Sequence, residues 1–156
     1  MNSANANLQY SKQDLEQLTE AFEGIRLVPY QDQNGIWTNG YGNTHGVVPG
    51  VSITQAQAEA DLLNNIQWAV RVVKGYVNVV LNQFKFDALV DFVFNVGAGN
   101  FQKSTLLKCV NANDQKGADA AFMMWDKVAG QVNKGLARRR LSEQELFDHV
   151  VDKEAA

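Results

Sequence analysis

Residues 23–38 read EGIRLVPYQDQNGIWT: a glutamate closing a helix-like segment, an aspartate entering a tight turn and a threonine leaving it. Cleavage of a glycosidic bond needs two carboxyl groups in unlike surroundings. One is held protonated to donate to the leaving oxygen, and the other stays ionised to prepare a water or stabilise positive charge. Upstream, Ser11 with Asp14 has the form of a capping box, and Leu15, Leu18, Ala21 and Phe22 share one side of a helix that Gly24 stops. Glu23 therefore falls in a last turn, at the negative end of the helix dipole and beside Phe22 and Ile25. Both surroundings favour the protonated form that suits a general acid. Asp32 lies instead in the polar turn 31–34 and is expected to stay ionised.

The Asn34-Gly35 pair marks a hairpin, and its loop length decides which side chains meet. A two-residue loop would pair Asp32 with Trp37 and send Thr38 to the opposite face, since side chains alternate along a strand. A three-residue loop over 33–35, with Gly35 left-handed in a bulge, pairs Tyr30 with Thr38 and puts Asp32 on their face. The chemistry favours the second, which gathers the polar groups on one side.

Working outward, the pattern EG.RL..Y.D..G..T.GYG around Glu23, Asp32 and Thr38 resembles the phage-type lysozymes of glycoside hydrolase family 24, phage endolysins that act as muramidases. The similarity continues in order through ITQAQAEADLLNNI, LNQFKFDALVDFVFNVGAGNFQKSTLL and GLARRRLSEQELF, and so covers residues 15–147. The resemblance implies a mainly helical α+β fold: a small lobe with a three-stranded antiparallel sheet, a larger helical lobe, and a cleft between them for a peptidoglycan strand. It assigns Glu23 as general acid, Asp32 as the carboxylate on the opposite face of the sugar, and Thr38 as the hydroxyl that helps Asp32 hold the attacking water. The implied reaction is hydrolysis, with inversion, of the β-1,4 bond between N-acetylmuramic acid and N-acetylglucosamine. Asn95 falls where the family carries an amide that contacts substrate, and Tyr30, across the hairpin from Thr38, is the other candidate substrate-binding residue. No cofactor is implied. The chain departs from the family at Asn43-Thr44-His45, where many relatives have a histidine directly after GYG. An ion pair made through that histidine is not available to Asn43, and His45 is a candidate substitute.

Composition is compatible with this reading. With 156 residues, 46% of them hydrophobic and 20% charged, the chain can bury a sizeable core and is expected to form a single catalytic domain over 1–156, without a separate wall-binding module and with a flexible segment over about residues 1–10. A net charge of −3 argues against a nucleic-acid binder, which needs a concentrated basic face. It also predicts a weaker grip on anionic wall polymers than a basic hydrolase would have. Cys109 is the single cysteine, so no internal disulfide can form, and its place in STLLKCV reads as a small packed residue on a helix. Two histidines, His45 and His149, with one cysteine give no zinc spacing, and GYGNTHG and GAGN match neither dinucleotide nor P-loop patterns. Neither metal nor nucleotide is expected.

MNSANANLQY lacks the features of a secretory signal, and no apolar run approaches the roughly 20 residues that span a bilayer. Neither leader nor membrane insertion is expected. The protein would then accumulate in the host cytoplasm, with a monomer as the default state, and the resemblance implies that it acts on bacterial peptidoglycan and depends on a holin to reach the wall. Beyond the hairpin the spacing predicts helices over 54–73 (capped by Thr54 with Gln57 and linking the lobes), 82–95, 104–110, 115–127 and 136–150. Phe84, Phe86, Phe92, Phe94 and Trp125 read as core, and Trp37 as packing or exposed. Arg138, Arg139 and Arg140 read as a solvated face, a wall-binding patch, or, for one of them, a partner of Glu23. The competing functions are a lytic transglycosylase, which needs one acid but neither Asp32 nor Thr38, a chitinase-like specificity, and a non-catalytic wall-binding or virion module.

Overall fold

The computed structural model describes residues 1–149. The chain is mainly helical α+β and forms two compact units, one of residues Lys12–Trp68 and the other of Met1–Ser11 with the chain from Ala69 onward.

In the first unit the chain begins as α1 (Lys12–Asp14), widens into a π-helical stretch, Leu15–Glu20, and tightens again as α2 (Ala21–Glu23). The sequence spacing fitted an ordinary helix; the π stretch was not foreseen. Gly24 ends it with φ +69, donating its N–H to the Glu20 carbonyl at 3.1 Å. Strands β1 (Arg26–Gln31) and β2 (Trp37–Gly40) then pair antiparallel. The expected third strand does not form. After β2 the chain reverses over Gly40 and Gly42, both at positive φ, and makes a lone bridge, Asn39 to Asn43. Beyond it the glycines and proline of HGVVPG interrupt extended pairing, and what remains is one bond from the Ile53 N–H to the Leu27 carbonyl at 3.0 Å.

Helix α3 (Gln55–Asn65) is capped as expected, Thr54 Oγ1 accepting from the Gln57 N–H at 3.1 Å. The single helix predicted over 54–73 is broken at Ile66, after Asn64 and Asn65, which are weak helix formers. It resumes as α4 (Gln67–Tyr76), within which the chain passes from one unit to the other.

The second unit comprises most of α4 together with α5 (Gln83–Val96), α6 (Ala98–Lys103), α7 (Thr105–Asn111), α8 (Gln115–Phe122), a 3-10 turn Met123–Trp125, a hairpin of β3 (Lys127–Val128) and β4 (Gln131–Val132), and α9 (Lys134–Phe147). Side-chain caps start four of these helices: Asn82, Ser104, Asp114 and Asn133 each accept a backbone N–H from the first turn. The segment expected as helix over 115–127 ends at Phe122, and Val150, the expected limit of the last helix, lies outside the described residues. Phe92 is the centre of the core, edge-on to Phe101, Phe122 and Trp125. The N-terminal segment makes contacts of its own. A 3-10 turn covers Ser3–Asn5, and the buried Asn5 amide donates to the Val79 carbonyl at 2.8 Å and accepts from the Leu81 N–H at 2.9 Å. Among the described residues no helix is long and apolar enough to cross a membrane.

Candidate active site

The hairpin register places Tyr30 opposite Thr38 and Gln31 opposite Trp37. The connection is the three-residue loop. Asp32 donates its N–H to the Ile36 carbonyl at 2.9 Å, its carbonyl accepts from the Gly35 N–H at 3.0 Å, and Gly35 has φ +76. Because the pleat has a period of two, Asp32 stands on the face of Tyr30 and Thr38. A Cβ at Gly35 would meet nothing within 4 Å, so the glycine answers the backbone angle and not a lack of space.

Asp32 is fixed by the turn it opens. Its Oδ1 accepts from the N–H groups of Asn34 at 2.8 Å and Ile36 at 2.9 Å, an Asx-turn that locks the carboxylate plane. The Oδ2 oxygen carries no hydrogen bond from the described residues and remains available. Thr38 is buried, and its hydroxyl donates to the Ile36 carbonyl at 3.0 Å. Its proton is thereby committed and its lone pairs are left to accept. Tyr30 is half-buried with the Arg26 guanidinium 3.9 Å from its ring centroid, a stacking contact that holds the ring over the strand.

Glu23, also half-buried, is the last residue of α2 and precedes β1 by two residues, so it belongs to the same unit as Asp32 and Thr38. One turn earlier, Glu20 has its carboxyl pushed up, chiefly by burial and then by Glu59, against which the donated Tyr41 hydroxyl acts in the lowering direction. The sequence reading did not single out this carboxyl–phenol pair, although GYG was in view.

Asn95 lies in the other unit, on the last turn of α5, and its Oδ1 accepts from Arg140 Nη2 at 2.8 Å, leaving its NH2 group to donate outward. Arg140 is fully buried, paired through Nε and Nη2 with Glu143 at 2.8 Å and set over the Phe92 ring at 4.9 Å. Arg139 makes a two-pronged pair with Asp91 at 2.9 and 3.0 Å, also buried. The expectation of a solvated or wall-binding arginine patch is therefore corrected: of the three, Arg138 alone is exposed. Desolvation explains why the other two are paired with carboxylates inside the fold. Burial likewise pushes the Cys109 thiol up, consistent with a packed residue and not a nucleophile. Among the described residues no group of three or more His, Cys, Asp or Glu side chains is placed to hold a metal ion.

The profile of the family described as phage lysozyme matches residues 20–143. An endolysin of Acyrthosiphon pisum secondary endosymbiont phage 1 is 42% identical over 135 residues, covering 84% of this chain and 92% of that protein. The muramidase domain of SpmX from Asticaccaulis excentricus superimposes with a TM-score of 0.85 at 35% identity, covering 92% of this chain and 100% of that one. An endolysin of Escherichia coli O157:H7 phage FAHEc1 does so with a TM-score of 0.82 at 35% identity, over 94% and 98% of the two chains.

Proposed function

The chain belongs to the phage lysozyme family and is a peptidoglycan-hydrolysing lysozyme, and from that premise we propose that it is an endolysin muramidase that cuts the β-1,4 bond between N-acetylmuramic acid and N-acetylglucosamine with inversion. The observation that carries the proposal is the hairpin register, which supports a shared face for the Asp32 and Thr38 side chains.

In this reading Glu23 donates its proton to the glycosidic oxygen as the bond to the anomeric carbon breaks. A water on the opposite face of the sugar gives one hydrogen to Asp32 Oδ2 and the other to Thr38 Oγ1, which directs its lone pair at that carbon. As the new bond forms, Asp32 takes the proton and Glu23 is left ionised. One displacement of this kind yields the α-anomer. The Tyr30 ring and the Asn95 NH2 group contribute contacts to the glycan. The protein acts on the host wall at the end of a phage cycle, as a monomer, after a holin has opened the inner membrane.

Turbidity of outer-membrane-permeabilised Gram-negative cells tests the assignment. Lysis with release of reducing ends that carry muramic acid supports it. Binding without clearing, or anhydro-muropeptides in place of reducing ends, contradicts it. The anhydro product would point to the transglycosylase reading, which has no use for Asp32 and Thr38.

A further inference from the structure

We infer that Asn43 is a positioning residue for this hydrolysis, acting through its side-chain amide on the end of β2 that carries Thr38; the inference rests on the water-holding role proposed for Thr38. Asn43 is buried, and its amide uses its whole hydrogen-bonding capacity. Nδ2 donates to Asn39 Oδ1 at 3.1 Å and to the His45 carbonyl at 2.8 Å, while Oδ1 accepts from Asn65 Nδ2 at 3.0 Å and from the His45 N–H at 3.3 Å. The backbones of Asn39 and Asn43 also exchange both their bonds, at 2.9 and 2.8 Å. His45 takes part through its main chain.

Asn39 directly follows Thr38, so whatever fixes Asn39 fixes the direction in which the threonine side chain leaves the strand. The anchor is α3, which holds this end of β2 at two points. A Cβ at Gly40 would come within 3.2 Å of the Ala58 Cβ, so backbone and helix touch there. Asn65, two helical turns further along, reaches Asn43. Helix α3 thus splints the reversal, and Asn43 transmits the splint to the strand. Its neighbours accept and donate in fixed directions, so an isosteric group with a different donor count cannot replace it. A buried, fully satisfied polar network specifies one geometry in a way that apolar packing at the same place does not.

The experiment measures kcat and KM of the full chain on purified peptidoglycan, per folded molecule, for Asn43→Asp, Asn65→Ala, Thr38→Val and Leu106→Ala. Asn43→Asp turns both donors into acceptors facing oxygen, and we expect kcat to fall about tenfold or more with KM within twofold. Asn65→Ala removes one outer anchor and should lower kcat about threefold. Leu106→Ala, in the core of the other unit, lowers stability without touching the network and should keep its kcat. If Asn43→Asp does not fold, Asn65→Ala decides by the same criterion. Wild-type kcat in the Asn43 and Asn65 variants beside an inactive Thr38→Val would overturn this inference alone, as would a loss of kcat that Leu106→Ala reproduces at equal loss of Tm. Full activity in Thr38→Val would overturn the water-holding role itself, and this inference with it.

Discussion

The Thr38 hydroxyl donates to the Ile36 carbonyl at 3.0 Å, and that same carbonyl accepts the Asp32 N–H at 2.9 Å. Asp32 and Thr38 are therefore referred to one peptide group, and a shift of either is felt by both. The threonine offers an acceptor, not a donor, to whatever stands in front of it.

Replacement of Thr38 separates packing from chemistry. Thr38→Val keeps the shape and loses the hydroxyl, so kcat should fall about 100-fold while Tm changes little. Thr38→Ser keeps the acceptor and should retain most activity. Turnover on purified peptidoglycan alongside thermal melts checks this, and equal rates in the valine and serine variants would show that the hydroxyl has no role.

Gly35 tests the loop. Its φ of +76 costs a β-branched residue about 1–2 kcal/mol, and no neighbour crowds the position. Gly35→Val should lower Tm by a few degrees and cut turnover by turning Asp32 away from Thr38, whereas Gly35→Asn should cost much less, because asparagine tolerates this region. A valine variant with wild-type melting and turnover would contradict the geometry described.

The hairpin was legible in advance because its information is local: Asn34-Gly35, the alternation on either side, and a chemistry that preferred one loop length. The cap at Thr54 was legible for the same reason, as were the helix starts near Asn82 and Ser104 and the stop at Gly24. The missing third strand was not, because the family pattern suggested a strand where HGVVPG cannot sustain a ladder. For the arginines the sequence left a solvated face, a wall patch and a partner of Glu23 open, and it did not show the burial of Arg139 and Arg140, because Arg139 meets Asp91, 48 residues away, and charge in a sequence carries no sign of its partner. Asn43 was visible as a departure, but its amide network draws on Asn65 and so needed the fold.

The pair of Asp119 and Asp148 makes stability fall with rising pH. Burial first, then a hydrogen bond with the Asp148 carboxyl, pushes Asp119 up to about 6, while the Lys85 ammonium acts in the opposite direction. A folded-state value above the unfolded one, ordinarily near ~3.9, means stability fully present below the unfolded value and lost as pH rises through about 6. Glu20, also raised, adds in the same direction. Thermal melts should give a higher Tm at pH 5 than at pH 7.5, and Asp119→Asn should flatten the slope and raise Tm at pH 7.5. A Tm that climbs from pH 5 to 7.5 would contradict the pairing.

Loss of the acid should be the most damaging single change in the site. Glu23→Gln retains the shape but cannot donate a proton, and activity should fall at least ~10²- to 10⁴-fold with the fold intact by circular dichroism. Near-normal lysis by a folded Glu23→Gln protein would remove Glu23 from the mechanism.

The most direct measurement is the anomeric configuration of the first product, followed by proton NMR during early turnover on a soluble peptidoglycan oligosaccharide before mutarotation sets in. A water held by Asp32 and Thr38 on the face opposite Glu23 predicts the α-anomer as the initial species. Initial β-anomer, or a 1,6-anhydro product, would contradict the account.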